Sequence, residues 1–161
     1  MSTKSDYSAE EWNAIAGAPA AAGLLVTLAD PSGVIGITKE AMAVGKAIAE
    51  SATGDAPEIV KDIAGQATST QGKYNLPDVP TGDRAQTKDA LIATIKSAVH
   101  AVETKSPAEA DGYKFWLSSV ATKVSQAAKE GGFLGFGGTR VSGAEQEALA
   151  QLADALGTKP H

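Results

Sequence analysis

The 161 residues predict an all-α fold, a single domain built as a bundle of six or seven antiparallel amphipathic helices, and three observations carry that prediction. Alanine is abundant while aromatics make up only 5% of the chain, a balance that suits closely packed helices better than a β-sandwich. Apolar residues recur at helical spacing in several separate stretches. Ser-x-x-Glu occurs three times at the head of such a stretch, the spacing at which a serine hydroxyl and a glutamate carboxylate satisfy each other's free backbone donors.

Residues 1–7 read as a flexible tail. Ser8-Ala9-Glu10-Glu11 then opens a first helix carrying Trp12 and Ile15, which should stop near Gly17 because Pro19 pushes Ala18 out of the helical region. Ala20 to Leu28 forms a second, very apolar segment, expected to lie buried on most sides and too short to cross a bilayer. A third helix spans Val34 to about Ser51 with Ile37, Ala41, Val44 and Ile48 inward. A fourth follows Asp55 as N-cap, with Ile59, Val60, Ile63, Ala64 and Ala67 as its buried face.

Residues 69–83 hold Gly72, Pro77, Pro80 and Gly82 and read as a long loop. Tyr74, Leu76 and Val79 are apolar anchors there, able to pack on this bundle or to reach another subunit. Helix five should run from Asp83 to about Thr104 behind Leu91, Ile92, Ile95, Ala98, Val99 and Val102. Ser106-Pro107-Ala108-Glu109 opens helix six, where Tyr113, Phe115 and Trp116 are expected in the densest part of the core. Ser142-Gly143-Ala144-Glu145 opens helix seven, closed by Gly157 and Pro160.

Composition narrows the chemistry. A formal charge of -5 disfavours nucleic acid, which calls for a basic face. No cysteine means no disulfide, thiolate metal site or cysteine nucleophile. The start of the chain lacks a basic region followed by an apolar one, so a cytoplasmic location is expected. No nucleophile elbow or acid–base carboxylate pair is recognisable, which leans away from an enzyme and calls for no cofactor.

One group of acidic residues and one His–Glu pair are the metal candidates. Asp55, Glu58 and Asp62 recur along one helical face, but a hard cation such as Ca²⁺ wants six or more oxygens and an ordered loop to supply them, and a solvated acidic face is the simpler account. His100 and Glu103 form a His-x-x-Glu pair with no second histidine in the body of the chain.

The most distinctive stretch is Gly131-Gly132-Phe133-Leu134-Gly135-Phe136-Gly137-Gly138, with five glycines around three large apolar residues. A phosphate cradle would need a preceding strand and a Gly-Lys-Ser/Thr ending, and only Thr139 and Arg140 stand near to assist. Phe133, Leu134 and Phe136 either fold back on the bundle or serve, with Arg140 and Tyr74, as a binding surface for a protein partner or a second copy. Membrane contact through the same loop is disfavoured by the negative charge.

The run Val141-Ser142-Gly143-Ala144-Glu145-Gln146-Glu147-Ala148-Leu149-Ala150-Gln151-Leu152-Ala153-Asp154-Ala155-Leu156-Gly157 resembles the recurring helix of tellurite-resistance TerB-like proteins. The resemblance implies a small all-α bundle, a stress-associated role and a metal- or small-ligand-binding alternative to partner binding. Members usually precede this helix with Ala-Asp-Gly, whose Asp is a candidate for cation binding; Gly137 and Gly138 stand at that place here.

Overall fold

The computed structural model describes residues 2–29, 37–69, 82–130 and 143–158, and among these every regular element is helical. Six α-helices follow a single 3-10 turn at Lys4–Asp6: α1 (Ala9–Ala29), α2 (Ile37–Ser51), α3 (Glu58–Ser69), α4 (Arg84–Lys105), α5 (Pro107–Glu130) and α6 (Gly143–Leu156). The all-α expectation stands, with one fewer helix than the upper count.

The difference arises at Pro19, because α1 passes straight through it where the sequence suggested a break. Proline lacks the N–H that would bond the carbonyl four residues back, here that of Ile15. The Tyr113 hydroxyl of α5 donates to that carbonyl at 2.8 Å and takes the missing donor's place. Both groups are buried, so the bond removes the polar penalty that would otherwise end the helix. Burial pushes the Tyr113 phenol well above its ordinary range, with repulsion from Tyr7 adding to it, so it stays a donor.

As one helix of 21 residues, α1 is long and apolar enough to cross a membrane, which corrects the expectation drawn from the shorter Ala20–Leu28 segment. Here 67% of its apolar window is buried inside the protein. Every residue from Ile15 to Gly23 is buried, the pattern of a helix enclosed on all sides. It packs most extensively on α4 and α5, and also meets α2 and α6, while α3 lies outside against α2 and α5.

Small side chains make that enclosure close. A Cβ on Gly23 would stand 2.8 Å from Val44 Cγ2 of α2 and 3.3 Å from Val124 Cγ2 of α5. On α5, a Cβ on Gly112 would stand 2.5 Å from Pro57 Cγ in the turn between α2 and α3. The core is completed by Ile48, Ile59, Leu91 and Ile95, all on the stripes predicted from spacing, and by Leu117 and Leu152. Phe115 departs from its expected place: it is 74% exposed, because two residues along a helix from Tyr113 point to a different face.

Helix starts follow their signals in part. At α1 the Ser8 N–H donates to Glu11 Oε2 at 2.7 Å and the Glu11 N–H to Ser8 Oγ at 3.1 Å, a complete capping box. Asp83 caps α4 through Ala85 and Gln86. At α3 the expected Asp55 cap gives way to Pro57, whose carbonyl accepts from Val60 at 3.0 Å and Lys61 at 3.1 Å. Gly157, with φ +68°, ends α6 as Gly157 N–H bonds Asp154 O and Thr158 N–H bonds Ala153 O.

The helices turn at two poles. Tyr7, Ser106 and the Pro57–Gly112 contact mark one, while the C-terminal end of α1 and the starts of α4 and α6 meet at the other.

Candidate interaction surface

At the second pole, α1 contributes Leu25, Leu28 and Ala29, α4 contributes Arg84 and Lys88, and the start of α6 contributes Glu147 to a cleft of about 210 Å³. Its floor is apolar and its rim charged. Arg84 and Lys88 occupy the first turns of α4, where the helix dipole disfavours cations, so their placement gives α4 no local support. That mismatch is the sequence signal that could have singled them out. Beside the cleft, Glu145 of α6 is buried at 7% exposure, and Ser125 of α5 donates to it at 3.4 Å.

Phe133, Leu134, Phe136 and Arg140, and likewise Tyr74, lie outside the described residues. The glycine-rich stretch follows α5 and precedes α6, whose first turns line the cleft, and residues 70–81 lead into the start of α4.

The metal candidates do not come together. Glu58 is paired with Lys61 at 3.1 Å, and Asp55 and Asp62 are exposed. Glu103 is ion-paired with Lys114 of α5, and His100 is exposed, its carbonyl accepting from Thr104 Oγ1 at 2.7 Å. Among the described residues, no group of three or more His, Asp or Glu is placed to hold a metal. Buried hydroxyls have structural partners: Tyr7 with Ser106, Tyr113 with Ile15, and Ser125 with Glu145.

At the first pole the expected free tail is instead docked. Ser2 is 6% and Tyr7 7% exposed. The Ser2 N–H donates to Glu109 Oε2 at 3.1 Å, its hydroxyl bonds the same oxygen, and the Tyr7 and Ser106 hydroxyls lie 2.6 Å apart. Lys105 Nζ reaches the Asp6 carbonyl at 3.3 Å and Glu11 Oε2 at 2.6 Å, and stands 5.6 Å from the centre of the Tyr7 ring. The Lys105 bond holds the Glu11 carboxyl below its ordinary range, with the Ser8 backbone bond adding to it. An open groove of about 570 Å³ runs past this segment, lined by Lys4, Tyr7, Trp12 and Asp62 among others.

Comparison of the chain with protein-family models, with curated proteins and with solved structures finds no match. The TerB-like resemblance therefore rests on the residues of α6 alone.

Proposed function

We propose that this chain is a non-catalytic, stress-associated binding protein of the cytoplasm that holds a protein partner or a second copy of itself at the pole formed by the ends of α1, α4 and α6. The observation that carries the reading is the cleft there: an apolar floor of Leu25, Leu28 and Ala29 under a rim of Arg84, Lys88 and Glu147. Apolar centres with charged rims are the usual composition of protein contact surfaces. Phe133, Leu134 and Phe136, which follow α5 and precede α6 in the chain, supply the large apolar anchors that such contacts rely on. Arg140 and Tyr74 belong to the same surface in this reading.

A metal-binding role of the TerB-like kind draws no support from the described acidic residues, since Glu58 and Glu103 are each engaged by a lysine. The test pairs Phe133→Ser with Phe136→Ser in the full chain. Loss of self-association in sedimentation, or of partner capture, with an unchanged cooperative melt is the expected result. Retained association would overturn the reading, and a lost melt would place both phenylalanines in the protein's own core.

A further inference from the structure

At the first pole, the grip on residues 2–8 uses groups that the sequence assigns to another task. Ser106 and Glu109 have the spacing of a capping box for α5, yet Ser106 Oγ is engaged by Tyr7 and the Glu109 carboxylate by Ser2. The predicted reciprocal cap is thus replaced by contacts 99 and 107 residues away in the chain. In the closed arrangement the Glu109 N–H donates to the Ser106 carbonyl at 2.9 Å, and with the segment lifted Ser106 Oγ is free to accept from that N–H as a capping serine does, so the start of α5 has an acceptor for it in either arrangement.

Two further observations bear on the balance. Lys105 contacts the segment at the Asp6 carbonyl and the Tyr7 ring, but its pairing with Glu11 belongs to α1 and survives without the segment. Next to Tyr7, with ring centres 6.0 Å apart, Trp12 is 2% exposed and its indole N–H has no hydrogen-bond partner. A buried donor without an acceptor opposes the closed arrangement, and water satisfies it on opening.

We infer that residues Ser2–Ser8 form a latch that opens as a unit while the six-helix bundle stays folded, with Ser106 and Glu109 changing partners between the segment and the start of α5. The closed state buries Tyr7 and Ser2. The open state uncovers Trp12, gives its N–H an acceptor and leaves no new unpaired group on the bundle. Opening therefore removes the wall that Thr3, Lys4, Ser5, Tyr7 and Ser8 give the existing groove and leaves an aromatic surface centred on Trp12 beside Asp62.

Acrylamide quenching of tryptophan emission in the full chain tests this. Trp116, 3% exposed and hydrogen-bonded to Ser51, remains shielded in either state, so newly quenchable emission reports Trp12. In Tyr7→Ala, about half of the emission should become quenchable below the melting transition, with Tyr7→Phe intermediate, as local opening of a weakly held segment requires. Thermal melting of Ser106→Ala in the wild-type and Tyr7→Ala backgrounds forms the second arm. A lowered Tm in both is expected, because Ser106 serves the open state as well as the closed one. Trp12 staying shielded in Tyr7→Ala, becoming quenchable only as the whole bundle melts, or Ser106→Ala having no effect in the Tyr7→Ala background would each overturn the inference. Loss of the cooperative melt in Tyr7→Ala would do so too, by showing the segment to be part of the core.

Discussion

The two poles of this bundle are finished differently. At the first, side chains close the structure: Tyr7 on Ser106, Ser2 on Glu109, Lys105 on Glu11, and Gly112 against Pro57. At the second, three helix ends surround a cleft whose basic residues, Arg84 and Lys88, oppose their own helix dipole. At the closed pole polar groups find their partners inside the chain. The proposed binding surface lies at the open pole, where charged and apolar side chains line the cleft.

Substitutions can break that contrast. The largest effect is expected from Trp12→Ala at the closed pole, about 3–5 kcal/mol for deleting a buried aromatic, read from denaturant unfolding. Next comes Tyr113→Phe, which leaves the Ile15 carbonyl without the donor that Pro19 cannot supply. A loss of about 1–3 kcal/mol is expected, and a neutral result would show that the helix crosses Pro19 without help. Gly112→Ala forces a methyl group toward Pro57 and should cost about 1–3 kcal/mol by overpacking, measured in the same way.

Acid should act on the closed pole first. The Glu11 carboxyl is held below its ordinary value, so its contribution is fully present above the unfolded carboxylate range and is lost as the pH falls through the folded value. A Lys105→Met variant should flatten that part of the stability-against-pH profile, and an unchanged profile would assign the acid sensitivity elsewhere. The smallest effect belongs to the open pole: Lys88→Ala should change stability by no more than about 0.5 kcal/mol, as expected of a surface charge without a structural role.

Much of the helical layout was legible because it is local. Ser8 with Glu11 and Gly157 after α6 act within a few residues, and the structure shows each in the predicted role, while Asp83, where the helix was expected to begin, caps α4 instead. Two of the misreadings share a cause, which is a partner far away in sequence. Pro19 looked like a break because its compensation comes from Tyr113, and the Ser106–Glu109 box is diverted by residues at the start of the chain. Phe115 was grouped with its aromatic neighbours when helical geometry sends it to the opposite side. The cleft was invisible for the same reason: Leu28, Arg84 and Glu147 meet only in the folded chain.

The most direct test of the two-pole account uses the fact that the chain has no cysteine, so a single introduced thiol carries a photo-cross-linker to one place. The linker is placed at Lys88→Cys in one sample and at Ser5→Cys in the other, and illuminated in the native host's extract and with purified protein alone. The account predicts a specific covalent adduct, to a partner or to a second copy, from position 88 and none from position 5. Equal capture at both positions, or capture from position 5 alone, would contradict it.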